Sequence, residues 1–431
     1  MTAGGDPRHT QAPQGGSHLQ EVVVVRHLHA LGHRNFRLLW TGQLISVSGT
    51  MMQTAAILWH VSLLVPPDRK GLALGLVGLV KVVPIVAFSL FSGVIADVVD
   101  RRRLMLLTQT VMGVLAAVLA VLAFQGLTSV WPIYLLAALT SAASAFDAPA
   151  RQSLIPNLVP REHLPNALSL NTIIFQAASV AGPSLAGLTI SLGGVGWAYA
   201  INALSFLAVI IGVLLMRDVP PTASSVAGEV SLKAAKEGLR FVFASPMIRS
   251  TMLLDFFATF FSSATAMLPI FAQDVLHVGA HGYGLLYAAP AAGALVASLV
   301  MVRAVDAIPR RGLTLLWAVT LYGAATVVFG LSRSFWLTMG CLAISGAADT
   351  VSTVLRNVVR QLETPDHIRG RMVGVNMMFY MGGPQLGELE AGLVANWWGA
   401  VASVVSGGLG SLAATAWVAA TTPALRRYRK H

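Results

Sequence analysis

Apolar runs of about 20 residues recur along the whole chain, each closed by a shorter polar stretch. Twelve such runs can be placed, at 38–63, 72–95, 104–125, 130–147, 167–192, 196–216, 248–275, 282–302, 313–331, 334–352, 372–395 and 398–420. A helix of that length crosses roughly 30 Å of hydrocarbon, and backbone polar groups in lipid must pair within their own segment. The runs are too long for barrel strands, so each predicts a membrane-spanning helix. The gaps between them alternate in character. Of the 29 Lys and Arg residues, 25 fall in the N-terminal tail, the even-numbered gaps and the C-terminal tail. The odd-numbered gaps hold only Arg69, Lys70 and Arg333, and Lys81 alone falls well inside a run, Arg249 at the edge of run 7 being counted with the polar stretch 217–249. Cytoplasmic loops carry excess Lys and Arg. The pattern therefore predicts an all-α integral membrane protein of twelve spans with both termini cytoplasmic.

The longest interior polar stretch, 217–249, separates two groups of six runs. Within it Leu232, Ala235 and Leu239 share one helical face while Lys233, Lys236 and Arg240 lie elsewhere, which predicts an amphipathic helix on the cytoplasmic membrane surface. The expected organisation is a cytoplasmic tail (1–37), a six-helix half (38–216), a linker (217–247), a second six-helix half (248–420) and a C-terminal tail (421–431). The halves repeat each other. Arg151, Pro160 and Asn171 follow run 4 at the spacing with which Arg356, Pro365 and Asn376 follow run 10. Asp100 with Arg101–Arg103 is echoed by Asp306 with Arg310 and Arg311. Two repeated six-span halves enclosing a site between them are a transporter design.

Composition agrees. The chain is 55% hydrophobic and 11% charged with a mean hydropathy of +0.70, whereas a soluble domain is about 25% charged. The net charge of +11 is accounted for by topology, so no nucleic-acid partner is expected. Cys341 is the single cysteine, which excludes an intrachain disulfide. Residues 1–37 open on a polar Gly/Pro/His-rich stretch rather than a signal peptide. The histidines there (His9, His18, His27, His29, His33) lack metal-ligand spacing, and neither metal nor cofactor is expected. No Gly-x-x-x-x-Gly-Lys-Ser/Thr loop and no nucleophile–base constellation occurs, which argues against an ATP-driven pump and against an enzyme.

The first run of each three-run unit carries a polar stripe at helical spacing. Run 1 has Gln43, Ser46, Thr50, Gln53 and His60; run 4 has Ser141 and Ser144; run 7 has Thr251, Asp255, Thr259 and Ser262; run 10 has Cys341, Ser345, Asp349 and Ser352. Such stripes face a cavity or simply join helices to one another. The ionisable residues within runs are Lys81, Asp255, Asp349, Glu388 and Glu390. Each costs roughly 2.5–3.5 kcal/mol at mid-membrane and so needs a partner, water or neutralisation. Asp255 is expected to bind a proton or a cationic substrate, or to be a structural carboxyl bonded to a neighbouring span. Asp349, near the cytoplasmic end of run 10, could be solvated or pair with a loop arginine. Glu388 shares a face with Gln385 and Gly392, whereas Glu390 points about 200° away and could snorkel outward.

The gap after run 2 reads Gly93-Val-Ile-Ala-Asp97-Val-Val-Asp100-Arg101-Arg102-Arg103 and resembles the signature loop of the major facilitator superfamily. Asp147-Ala-Pro-Ala-Arg151-Gln, Ser245-Pro246, Tyr283-Gly-Leu-Leu-Tyr-Ala-Ala-Pro290 and Gly383-Pro-Gln-Leu-Gly-Glu-Leu-Glu390 are similar to the branch containing the enterobactin exporter and macrolide-efflux-like proteins. Asp100 departs from the loop pattern, where many members have Gly. The resemblance implies that spans 1, 4, 7 and 10 line a central cavity holding Asp255, Glu388, Gln43, Gln53, Asp349, Ser345 and Thr259. It implies that spans 2 and 11 meet, so that Lys81 and Glu388 bridge the halves, and that Gly93, Asp97 and Arg101 form a cytoplasmic latch. Gly182-Pro183 in run 5 is similar to the Gly-Pro motif of antiporters in this superfamily. The expected function is proton-coupled export, by alternating access, of a small organic molecule such as a drug, siderophore or secondary metabolite. The alternatives are import of a small nutrient and a non-transporting receptor or scaffold. The expected setting is the inner membrane, as a multi-pass monomer whose partners are substrate, protons and lipid.

Overall fold

The computed structural model describes residues 29–217, 239–262, 264–365 and 368–429; within it, the side chains of 89–98 and of several positions between 369 and 381 are left undescribed. Helices dominate: α1 (Arg34–Leu64), α2 (Lys70–Val98), α3 (Arg101–Phe124), α4 (Trp131–Leu154), α5 (Leu164–Gly193), α6 (Val195–Leu214), α7 (Pro246–Phe261), α8 (Gly279–Ala304), α9 (Arg311–Leu331), α10 (Phe335–Glu363), α11 (Arg369–Trp398) and α12 (Ala400–Thr421). Ten helical segments are long and apolar enough to cross a membrane. The other two long helices, α1 and α11, have 31 and 30 residues and carry more polar side chains.

Local signals place several helix starts. Asp100 caps α3 by accepting from the Arg103 N–H at 2.8 Å, and Ser245 caps α7 by accepting from the Ile248 N–H at 3.4 Å. Proline occupies the first turn of α4, α5 and α7, where its missing N–H leaves no intrahelical bond unmade. Gly194 and Gly399 turn α5 into α6 and α11 into α12 at the same φ of +87°, a conformation that suits only a residue without Cβ.

The halves pack alike. α1 lies against α5 and α6, α2 and α3 against α4, and α3 against α6; in the second half α7 lies against α11 and α12, α8 and α9 against α10, and α9 against α12. Two seams join the halves, α5 on α8 and α2 on α11. Both use glycine for close approach. A Cβ on Gly284 would lie 2.5 Å from the Pro183 carbonyl oxygen, and one on Gly392 would lie 2.6 Å from the Gly71 carbonyl oxygen.

The apolar core is divided unevenly along the bundle. At the end away from the chain termini one cluster crosses both halves, with Leu58 and Leu74 joined to Phe271, Tyr283 and Leu286. At the arginine-rich end there are separate clusters, Phe36, Leu39, Met105 and Leu154 in the first half and Leu254, Leu315, Leu355 and Val418 in the second.

Three expectations change. Run 7 is not one continuous helix: α7 ends at Phe261, and after residue 263 the chain resumes as a 3₁₀ turn (Ala264–Met267), one turn of α-helix (Leu268–Ile270) and a π-turn (Phe271–Val275). Pro269 lacks an N–H for the Thr265 carbonyl, and at the end of α7 the Ser262 carbonyl accepts from the Tyr322 hydroxyl at 3.4 Å. Runs 4 and 10 are longer than hydropathy indicates, reaching Leu154 and Glu363, because Arg151, Arg356 and Arg360 find partners inside the bundle. The expected amphipathic helix in the linker lies mostly outside the described residues; 239–244 are helical.

Candidate functional site

In the second half α7 turns Asp255 toward α10. Its Oδ1 lies 2.8 Å from Arg356 Nη2, and its Oδ2 lies 3.9 Å from Arg360 Nη1. Asp349 completes the group at 3.7 Å from Arg356 Nη2. Arg356 also donates to Thr353 Oγ1 at 2.7 Å, and Arg360 donates to Asn357 and to Asn376 of α11. Asp255, Arg356 and Arg360 are 3%, 1% and 2% exposed, so these three are sealed. A cavity of about 120 Å³ beside it is lined by Ser262, Tyr322, Thr326, Cys341, Ser345 and Asp349.

The first half repeats this design in a different chemistry. Gln43 sits nine residues after the start of α1, as Asp255 does after the start of α7. Its Oε1 accepts from Arg151 Nη1 at 3.1 Å. Arg151 Nε lies 3.7 Å from Asp147 on its own helix, and Asp147 Oδ1 accepts from Thr108 and Gln109 at 3.0 and 2.9 Å. These residues face a cavity of about 430 Å³ walled by α1, α3 and α4 and flanked by Ile85 of α2 and Phe175 of α5. That volume suits a small organic molecule.

Between the halves Glu388 of α11 packs on Gly78 of α2, where an added Cβ would lie 2.5 Å from its Oε2. Lys81, one turn further along α2, is in electrostatic range of Glu388, as are Tyr283 and Tyr287 of α8. The ion pairs within 4.0 Å among the described residues do not include Lys81 and Glu388. Closer to the joined end Lys70 Nζ reaches Asp274 at 3.0 Å and Gln273 at 3.1 Å, Gln273 donates to Ser62 at 2.6 Å, and Tyr283 donates to the Ala55 carbonyl at 2.9 Å. Each of these crosses from one half to the other.

The expected site residues are thus distributed over several settings. Gln43 lines the larger cavity, and Ser345 and Asp349 line the smaller one. Gln53 accepts from Asn202 at 2.7 Å and His60 meets the Tyr199 hydroxyl at 3.2 Å, so both join α1 to α6. Thr259 donates to the Asp255 carbonyl and abuts Gly383. Arg101 donates to the Ser153 carbonyl at 2.8 Å, tying α3 to the end of α4. The surroundings of Gly93 and the side chain of Asp97 lie outside the described residues, and Asp100 caps α3. Sequence reasoning missed three groups. Lys70 reads as a loop charge but is 8% exposed inside the cross-half contact. Arg356 and Arg360 read as topology charges but are core residues. The repeat spacing that pairs Arg151 with Arg356 was the available signal.

A two-fold repeated helix bundle with glycine seams between its halves is the architecture of a major facilitator superfamily transporter. The chain belongs to the transmembrane secretion effector family, whose model matches residues 26–428. It is similar to the enterobactin exporter EntS of Escherichia coli O1:K1 / APEC, with 27% identity over 399 residues covering 92% of this chain and 94% of that one. EntS of Shigella boydii serotype 18 matches with the same identity and coverage. Among solved structures, a bacterial homologue of the human lysosomal transporter Spinster in an inward-facing, unoccupied conformation superposes with a TM-score of 0.68 at 16% identity, covering 91% of this chain and 96% of that one. The nucleoside transporter NupG gives 0.67 at 14% identity, covering 91% and 99%. The protein is a multi-pass inner-membrane transporter and not an enzyme.

Proposed function

We propose that this transporter is a proton-coupled exporter of a small organic molecule, working as a monomer by alternating access, with twelve spans and both termini cytoplasmic. One observation supports the alternating-access part: among the described residues the halves share a core at the end away from the termini and have separate cores at the other. A bundle closed at one end and divided at the other is one of the two states a rocking mechanism requires. The arginine-rich loops put the divided end in the cytoplasm, so the state is inward-open. Similarity to enterobactin exporters supports export.

For the coupling carboxyl the geometry favours Glu388 over Asp255. Asp255 is held by Arg356 at 2.8 Å and is buried, which makes it a structural ion-pair partner. Glu388 lies at the α2–α11 seam, which must slide as the halves rock, and Lys81 is its electrostatic neighbour. Proton uptake there would release Lys81 and favour one packing of the seam. Asp97 and Arg101 remain the proposed cytoplasmic latch.

Proteoliposomes test the reading. A proton gradient should drive substrate toward the acidic side, and Glu388→Gln should abolish that driven transport while leaving gradient-free exchange. Accumulation indifferent to the gradient in wild type removes proton coupling. Loss of driven transport in Asp255→Asn, with Glu388→Gln unaffected and both proteins folded, returns the role to Asp255. In intact cells, external thiol reagents should label a cysteine at position 69 and miss one at 427; the reverse pattern inverts the topology. Asp97→Asn should lower transport at unchanged abundance, and full transport by that variant would leave the loop only a topology signal.

A further inference from the structure

The cavity of the first half is built to leave hydrogen-bond donors free. Gln43 is 2% exposed and lines the cavity, and its Oε1 is taken by Arg151, yet its Nε2 has no partner. Arg151 Nε is likewise buried without a hydrogen-bond acceptor, Asp147 lying 3.7 Å away. Of the acceptors nearby, Asp147 Oδ2 faces Arg151 Nε as an ion pair at 3.7 Å. Asp147 Oδ1 takes two donors, and Gln109 Oε1 takes Ser46 Oγ at 3.4 Å. A buried unmade donor is costly. At the repeat-related position of the second half Asp255 offers no donor and is closed onto Arg356 Nη2, so the unmade donors there, Arg356 Nε and Nη1, belong to the arginine alone.

Apart from Thr50 and Ser144, whose hydroxyls donate to carbonyls of their own helices, the rest of the cavity is apolar: Val47, Met51, Ile85, Met112, Phe175 and Phe206 surround the polar group. Its cytoplasmic neighbourhood is basic. Arg101 is fixed to the Ser153 carbonyl, two residues from Arg151, and the Asp100 carboxylate is engaged with the first turn of α3. Basic surroundings raise the local concentration of anions, and a charged acceptor makes stronger bonds to buried donors than a neutral one.

From this geometry we infer that the cavity between α1, α3 and α4 is a head-group subsite for an amphipathic organic anion, whose carboxylate or comparable oxyanion is received by Gln43 Nε2 and the Arg151 guanidinium and whose ring or chain lies against the apolar wall. This rests on the reading of the protein as an exporter and adds the chemical class of its substrate. It also assigns Gln43 a specificity role: the carbonyl of its amide positions Arg151 and its amino group reads the ligand.

Two probes sharing one ring test it, 2-naphthoate and 2-naphthylmethylammonium, titrated calorimetrically into the purified full-length protein in detergent. Wild type should bind the carboxylate at least about tenfold more tightly than the ammonium. Gln43→Glu keeps an oxygen for Arg151 but replaces the free donor by an acceptor. It should weaken the carboxylate by about tenfold or more and leave the ammonium equal or tighter, with thermal unfolding unchanged. Gln43→Met, which removes the donor without adding charge, should weaken the carboxylate and leave the ammonium unaffected, and it keeps the test decisive if Gln43→Glu does not fold. Equal affinity for the two probes in wild type, no binding of either at millimolar concentration, or unchanged carboxylate affinity in a folded Gln43 variant would each overturn the subsite. These are equilibrium readouts. A carboxylate preference without gradient-driven transport would defeat the export reading alone, and driven transport without the preference would defeat this inference alone.

Discussion

The two halves carry an arginine at the same repeat position and surround it differently. In the second half Arg356 meets Asp255, with Arg360 close by, and these three are shut away from solvent, while Asp349 lines the small cavity beside them. In the first half Arg151 meets the neutral Gln43 and its own-helix Asp147, and it stands at a cavity of about 430 Å³. A carboxylate opposite an arginine completes a charge pair and closes the space. An amide there satisfies one N–H and leaves its own donor available. One half therefore behaves as a rigid block and the other as the lining of the site, which is an efficient division for two bodies that must rock while one holds a ligand.

That contrast is most easily broken in the second half. Arg356→Ala strands Asp255 in a sealed site and should cost about 3–5 kcal/mol, seen as a large fall in thermal unfolding temperature or as loss of the protein. The double change Arg356→Met with Asp255→Leu should recover most of that loss, because no charge is left unpaired. A stable Arg356→Ala protein would show that the group is hydrated and the contrast mistaken.

The glycine seam should respond next. Gly284→Val pushes a side chain into the Pro183 carbonyl and should cost about 1–3 kcal/mol of close packing. It should also raise the labelling of a cysteine placed at position 65, near the joined end. Unchanged labelling would mean the seam is not what closes that end.

Arg151→Ala should be milder for stability, about 1–2 kcal/mol, since Asp147 keeps its bonds from Thr108 and Gln109. Transport should nevertheless fall by more than about tenfold, because loss of a bond to a charged group is worth that much. A stability loss equal to that of Arg356→Ala would erase the distinction between the halves. The smallest effect is expected for Lys70→Ala. Its partner Asp274 is 46% exposed, so the pair contributes about 1 kcal/mol or less. The labelling rate at position 65 should rise only about fivefold. A change of a hundredfold would make Lys70 the principal gate.

Much of this was legible in the sequence, and the misreadings share a cause. Helix positions follow from hydropathy because lipid admits few alternatives. Hydropathy stopped runs 4 and 10 at their arginines, since a window of residues scores a cation as polar whatever lies opposite it. Arg356 and Arg360 are inside the bundle because Asp255 and Asn376, from other helices, are there to receive them. The same limitation affected the polar stripe of α1. Gln43 and Gln53 are alike in type and in face, but Asn202 of α6 takes Gln53 and turns it into a helix contact, while Gln43 remains beside open space. Asp255 was recognisable as important and not as ion-paired. Lys70 was hidden because its count as a loop charge in an odd-numbered gap already seemed sufficient.

What the amino-acid order determined by itself was the all-helical membrane character, the two-fold repeat and the class of protein, because each depends on local hydropathy, loop charge and spacing along one chain. What only the tertiary structure decided was which polar residues are paired, which are left open and which end of the bundle is closed. Those depend on residues more than a hundred positions apart meeting within about 3 Å, as Gln43 meets Arg151 and Lys70 meets Asp274. No periodicity along a single helix carries that information, because the energy of a buried polar group is set by its neighbour across the interface and not by its own segment.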